Sequence, residues 1–384
     1  MNFSKLKSSP IIHTLFTLKF LVSGLIVNLF QGLFCLILWP HNKDLFRKIN
    51  YYLSACNSYD FVFLSDWWAG VDYYFYVDKN DFNKYYGKEH GLLIVNHTFE
   101  IDWLSAWCYH DRSNILGGCK AFAKNSLKYM PVIGWSWWFS EYLFIQRDLV
   151  KDKRTIEVNL KELYEQKDPI WLLLYSEGTR FTEEKKEASQ TFARSRGLPE
   201  LKHHLLPRTK GFSLGLPHIR HNLPAVYNFQ VAFKGEKPTL INLFNARKIE
   251  AHVYMERIPI EQIPNDEKEC DKWMYTLYEK KDKMTDSFNN TGDWFKESGV
   301  ERVEGFKTKP KYYSLINIIV WLVIIYVPLT KFAFSALLTF NILHLVLLVI
   351  LFFGVHTALA KLRSVSEINK AASSYGKENS KKSE

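Results

Sequence analysis

The chain has 384 residues, enough for one large domain or two small ones, and 16% of them are aromatic, a share that points to large buried or lipid-facing surfaces. A net charge of +10 points to an anionic partner, whether nucleic acid, phospholipid or a phosphorylated substrate. The five cysteines (Cys35, Cys56, Cys108, Cys119 and Cys270) are scattered and odd in number, which excludes a disulfide framework and leaves no pair at metal-ligand or redox spacing.

Residues 1–40 read as a membrane anchor. After a polar start with Lys5 and Lys7, the chain is mostly apolar from Ile11 to Trp39, broken by Lys19. Residues 20–38 are long enough to span a bilayer or to lie as a bent hairpin in one leaflet. The run ends in Ile37-Leu38-Trp39-Pro40 without a small-x-small cleavage site, which favours a retained anchor over a signal peptide. A long buried helix is the plainer alternative. Residues 41–90, with Arg47, Lys48 and Trp67-Trp68, are expected to form an amphipathic connector at the headgroups.

An α/β region is expected over 91–306. Strands are predicted at 92–95, 116–122, 142–145, 170–175, 225–233 and 251–257. The clearest helix is at 155–166, where Ile156, Leu160, Leu163 and Tyr164 share a face. Alternating strands and helices predict a largely parallel sheet covered on both faces. Residues 265–290 predict an outer amphipathic helix with Trp273, Leu277 and Met284 on one side.

Within this region, residues 96–102 read Asn-His-Thr-Phe-Glu-Ile-Asp and follow the buried-strand run Leu92-Leu93-Ile94-Val95. His97 therefore stands where a strand hands over to a helix, at a sheet edge, a usual place for chemistry in α/β folds. Asp102 can reach back to an imidazole nitrogen, giving a general base and its orienter with no nucleophile between them. A lone His-x4-Asp is more often structural. A metal set of His97, Glu100 and Asp102 is a further reading, weakened because no second His-rich cluster completes it.

Other strand-end loops carry cations. Glu177-Gly178-Thr179-Arg180 offers a glycine for close backbone approach, a hydroxyl, and a guanidinium fork suited to phosphate, with Glu177 placed to lock the arginine. Its plain alternative is a polar loop with a surface ion pair. Pro207-Arg208-Thr209-Lys210-Gly211 is a second such loop, Arg147 follows a third strand, and Lys124 precedes Pro131-Val132-Ile133-Gly134. One base facing several cations fits a phosphorylated substrate whose neutral hydroxyl must be activated.

Residues 307–360 read as a membrane hairpin of two apolar runs, 315–327 and 332–355, parted by Pro328 and Lys331. Lysines before the first run, and Lys361 with Arg363 after the second, put both flanks in the cytosol by the positive-inside rule. The basic tail 361–384 ends Lys381-Lys382-Ser383-Glu384, the form of a retrieval address to the endoplasmic reticulum, or simply a solvated charged end.

These motifs together resemble those of the glycerophospholipid acyltransferases, specifically the 1-acylglycerol-3-phosphate acyltransferase family. Asn96, His97 and Asp102 match its Asn-His-x4-Asp, and residues 177–180 match its Glu-Gly-Thr-Arg, in order and at the expected separation. The resemblance covers nearly the whole chain and is greatest to the gamma and delta subtypes. Glu141 stands where the broader family usually has Gly, Ser176 where Pro is common, and Arg208 and Lys210 where apolar residues usually follow the proline.

The resemblance implies a mostly parallel α/β acyltransferase fold with membrane segments at both ends. It implies transfer of an acyl group from acyl-CoA to the sn-2 hydroxyl of lysophosphatidic acid. His97 and Asp102 would be catalytic. Asn96, Lys124, Arg147, Glu177, Gly178, Thr179, Arg180, Pro207, Arg208 and Lys210 would bind substrate. It implies no metal and no cofactor, acyl-CoA being a co-substrate, and a partner set of lysophospholipid and membrane lipids without nucleic acid. Another lysophospholipid acceptor, a hydrolase using His97 on water, and a non-catalytic lipid-binding scaffold are the rival readings.

Overall fold

The computed structural model describes residues 6–146 and 148–366. Strands β1 (Asp72–Tyr76), β2 (Gly91–Val95), β3 (Cys119–Lys124), β4 (Leu143–Ile145), β5 (Trp171–Leu174), β6 (Ala225–Gly235), β7 (Ile249–Pro259) and β8 (Gly305–Lys307) form one sheet in the order β4-β3-β5-β2-β6-β7-β1-β8. The β6–β7 and β1–β8 pairs are antiparallel and the others parallel.

β2 is buried along its whole length because it lies between β5 and β6 with both faces covered, which explains its unbroken apolar run. Leu93 and Val95 face the core layer built on helix α3 (Asp102–Arg112), with Leu104, Trp107 and Tyr109. Leu92 and Ile94 face the opposite layer. There Phe212 and Leu216 come from α6 (Lys210–Ile219), and Met274, Leu277 and Tyr278 from α7 (Glu267–Thr291). Two shorter helices complete the frame of the site, α4 (Ile133–Phe139) and α5 (Glu183–Arg196).

Among the described residues, three helices are long and apolar enough to cross a membrane: α1 (Pro10–Leu38), α8 (Tyr312–Leu338) and the first 20 residues of α9 (Ile342–Ser366). Lys19, the charge that interrupts the first apolar run, is buried in an ion pair with Asp60 of α2 (Lys43–Phe63). α1 is thereby fastened to the protein along one side while Leu25, Leu29 and Leu33 stay exposed on another.

Several elements depart from expectation. The stretch 41–90 contributes to the sheet as well as to the membrane-proximal region. Its first part is α2, packed on α1, and residues further on supply β1, outside the 91–306 region expected to hold the sheet. Tyr73 and Phe75 point inward and Tyr74 outward, a strand alternation that the uniformly aromatic sequence hides. The strand predicted at 116–122 begins only at Cys119, because Leu116–Gly118 form a 3₁₀ turn. A Cβ on Gly117 would lie 2.2 Å from the Tyr51 carbonyl oxygen, so this turn is a glycine-only approach to α2. The predicted helix at 155–166 is a π-helical turn, Thr155–Asn159, continued by Leu160–Tyr164. α8 runs through Pro328, and the break between the apolar runs falls at residues 339–341 instead.

Candidate active site

β2 ends at Val95, and the next two residues set the geometry. The Asn96 side-chain amide accepts from the Val231 N–H (2.9 Å) and donates to the Val231 carbonyl (3.0 Å). It thus extends the β2–β6 pairing by one side chain. Asn96 was expected against substrate, but its polar atoms are engaged inside the protein. The His97 N–H donates to Glu177 Oε1 at 2.8 Å. The His97 ring then turns so that Nδ1 lies 3.0 Å from Asp102 Oδ2. Asp102 is fully buried at the first turn of α3, where the helix dipole favours a carboxylate, and the same oxygen accepts from the Phe99 N–H at 3.2 Å. With Nδ1–H donating to Asp102, Nε2 carries the lone pair. The Tyr175 ring packs 4.4 Å from the imidazole, and burial holds its hydroxyl well above the usual range, so it stays protonated.

The 177–180 loop is built from below. Glu177 is fully buried and accepts from the N–H groups of His97 (2.8 Å) and Leu205 (3.1 Å). Burial pushes its carboxyl up, opposed by His204 and by those two N–H donors. It therefore braces the histidine loop, where the sequence suggested a lock on Arg180. Gly178 has φ +70°, and a Cβ there would come within 3.0 Å of Cδ and Nε of Arg208, so this turn favours glycine. Thr179 Oγ1 accepts from Lys185 Nζ (3.1 Å), which also donates to the Arg180 carbonyl (3.0 Å). Arg180 donates to the Glu100 carbonyl at 3.2 Å. The Glu100 carboxylate accepts from the Leu240 N–H at 2.9 Å, which engages one of the oxygens proposed for a metal. Among the described residues, no group of three or more His, Cys, Asp or Glu is arranged to hold one.

A cavity of about 840 Å³ opens at the carboxyl ends of β2, β3 and β5, the side where parallel sheets hold ligands. His97, Lys124, Gly178, Arg180, Pro207, Arg208 and Lys210 all line it. The rest of its wall is largely apolar, with Phe16 and Phe20 from α1, Phe61 from α2, Trp103 and Trp107 from α3, and Trp137 from α4. The cavity thus joins an imidazole and several cations to a largely apolar space. Lys210 is held by Glu267 (2.5 Å) and Asp271 (2.8 Å), which raise its pKa and take up much of its charge. Asn96, Glu177 and Thr179 lie outside the lining. Arg147, Lys381 and Lys382 lie outside the described residues.

Tyr175, Lys185 and Lys281 belong to no motif in the sequence. The last had a signal: it breaks the stripe Met274, Leu277, Tyr278 and Met284 on the buried face of α7. Its Nζ is fully buried and donates to the carbonyls of Ile94 (3.1 Å) and Phe229 (2.9 Å), tying the end of β2 to the middle of β6. Glu141 has φ +58°, a left-handed conformation that favours glycine, and its carboxylate takes Arg47 in a two-pronged bond at 2.7 and 2.8 Å.

A sequence-family model described as Acyltransferase matches residues 75–213, and one described as Acyltransferase C-terminus matches residues 242–321. The chain is 40% identical over 377 residues to 1-acyl-sn-glycerol-3-phosphate acyltransferase delta of Homo sapiens, covering 98% of this chain and 97% of that protein. It is 38% identical over 381 residues to the gamma protein of Homo sapiens, covering 99% and 98%. The crystal structure of PlsC, the 1-acyl-sn-glycerophosphate (LPA) acyltransferase from Thermotoga maritima, aligns with a TM-score of 0.39 at 14% identity, over 70% of this chain and 93% of that one. On sequence identity along nearly its whole length, the chain belongs to the 1-acyl-sn-glycerol-3-phosphate acyltransferase family.

Proposed function

We propose that the protein transfers a fatty acyl group from acyl-CoA to the sn-2 hydroxyl of 1-acyl-sn-glycerol 3-phosphate, giving phosphatidic acid. The observation that carries this reading is the Nδ1–Asp102 contact, which leaves Nε2 of His97 to act as base in a cavity also lined by Lys124, Arg180 and Arg208. The named activity of the relatives supports the acceptor.

His97 takes the hydroxyl proton as the oxygen attacks the thioester carbonyl. Asp102 steadies the imidazolium that forms. The tetrahedral intermediate collapses, the carbon–sulfur bond breaks, and the imidazolium returns its proton to the departing thiolate of coenzyme A. Arg180 and Arg208 hold the acceptor phosphate and so orient the hydroxyl. Lys124, at the end of β3, adds positive charge for the phosphates of either substrate. No acyl-enzyme is required. The lysine flanks of the C-terminal hairpin and the need to reach coenzyme A support a cytosolic site, and the Lys381-Lys382 ending supports residence in the endoplasmic reticulum membrane.

Purified protein given labelled acyl-CoA and a series of lysophospholipids tests the reaction. Labelled phosphatidic acid is the expected product. Free fatty acid would mean hydrolysis, a different labelled phospholipid another acceptor, and no turnover a binding role.

A further inference from the structure

Residues 129–139 face two different surroundings. On one side they close tightly on α1. A Cβ on Gly24 would fall 2.2 Å from Cγ1 of Val132, and one on Gly32 would fall 3.4 Å from Cζ of Phe139. Val132 is fully buried with φ +68°, a conformation a β-branched residue holds only where its surroundings impose it. The contacts at Gly24 and Gly32 are about 12 Å apart along α1, close to the length of α4. α4 therefore runs alongside the second half of α1, in the same direction.

That half of α1 is part of a helix of spanning length and presents Leu25, Leu29 and Leu33 outward. α4 lies at the same depth. Its outer face carries Trp135, 40% exposed, and Trp138, 57% exposed, three residues apart and so on one side of the helix. Tyr129, 70% exposed, precedes them with Lys128 Nζ 4.9 Å over its ring, a pairing suited to the headgroup level. The inner side of the same segment is cavity wall: Met130, Ile133 and Trp137 line it, and Trp137 stacks on Tyr142 at 5.0 Å. A single layer of chain thus separates the exposed apolar flank of α1 from the space in front of His97.

We propose that residues 129–139 are embedded in the bilayer beside α1, with Trp135 and Trp138 against lipid, and form a side gate through which a lipid acceptor reaches His97 from one leaflet. The gate rests on the acyltransferase reading above; the placement in lipid does not. An acceptor that moves sideways past α4 never exposes its acyl chain to water, which removes the largest hydrophobic cost of reaching the cavity. The lipid surface, rather than a second protein, is the occupant because the aromatic face continues the exposed apolar side of α1.

The placement is tested on the full chain in phospholipid nanodiscs, in a background lacking the half-buried thiols of Cys35 and Cys56. Nitroxides at Trp135→Cys and Trp138→Cys should be more accessible to oxygen than to a water-soluble nickel chelate. A label at Ser195→Cys, on the exposed face of α5, should show the reverse. Water-like accessibility at both 135 and 138 overturns the placement. For the gate, the Trp135→Ser/Trp138→Ser double variant should raise the apparent KM for a long-chain lysophosphatidate in vesicles by about tenfold. The KM values for a short-chain, water-dispersed acceptor and for acyl-CoA should stay within about twofold. Trp138→Phe, which keeps an apolar ring and guards against misfolding, should behave as wild type on both acceptors. An equal change for long and short acceptors overturns the gate. Wild-type protein that acylates no lysophospholipid would instead sink the proposed function and leave the label measurement standing.

Discussion

His97 and Asp102 depend on one another through a single bond, and Asp102→Asn isolates it. An amide can donate to Nδ1 and so leave the proton on Nε2, the wrong tautomer for a base. The variant should fold and bind acyl-CoA normally while kcat falls by at least ~10²-fold. Activity within a fewfold of wild type would detach Asp102 from the reaction. At Arg180 the question is charge or shape. Arg180→Lys keeps the charge but loses the planar fork, so the lysophosphatidate requirement should rise with the acyl-CoA requirement nearly unchanged. A lost charge-assisted contact of this kind costs roughly 1.5–3 kcal/mol, one to two decades in kcat/KM. If both requirements shift together, Arg180 stiffens the loop rather than holding phosphate. His97, Arg180 and Arg208 were legible because chemistry-bearing side chains after predicted strands fall at one sheet edge. Asn96, Glu177 and Thr179 show the limit: spacing places a residue at the edge but does not say whether its side chain looks into the cavity or back into the protein.

At the scale of elements, α7 braces the site from the far side of the sheet. Lys281 grips the carbonyls of Ile94 and Phe229, and burial lowers its pKa to about 7 from an ordinary 10.5. The unfolded chain therefore binds more protons at this residue between pH 7 and 10.5, and stability rises with pH in that window at up to ~1.4 kcal/mol per pH unit. Below pH 7 both states are protonated and the dependence is flat. Thermal unfolding of wild type and Lys281→Met in detergent should show the melting-temperature difference shifting in favour of wild type from pH 7 to 9 and unchanged from pH 6 to 7. A constant difference across the whole range would mean the amine is not desolvated. This brace was partly readable, since a lysine in an apolar helical stripe is a flag, but its partners are backbone atoms of strands far off in sequence. β1 was missed for a related reason. Its five residues, Asp-Tyr-Tyr-Phe-Tyr, show no polar–apolar alternation, and only pairing with β7 and β8 decides which rings turn inward.

Across the whole molecule, the apolar segments at both ends were evident from length and composition, whereas their attachment to the domain was not. The buried Lys19–Asp60 pair, the Gly24–Val132 approach and the apolar lining from Phe16 and Phe20 make α1 part of the cavity rather than a tether. If the catalytic region and the C-terminus share the cytosolic side, acceptor sites for N-glycosylation inserted in the 236–239 loop and after Lys382 should both remain unmodified in microsomes. Modification at either would reject that topology. Because the second tag masks the final lysines, retention needs its own test, with Lys381→Ser and Lys382→Ser in the untagged chain.

If His97 activates the acceptor hydroxyl within this cavity, its removal should stop transfer. The direct measurement is formation of labelled phosphatidic acid from acyl-CoA and lysophosphatidate by purified wild type and His97→Ala at matched protein levels, with melting temperature recorded in parallel. His97→Ala should lose at least ~10²-fold in kcat with the fold intact. Comparable turnover by the two proteins would contradict it.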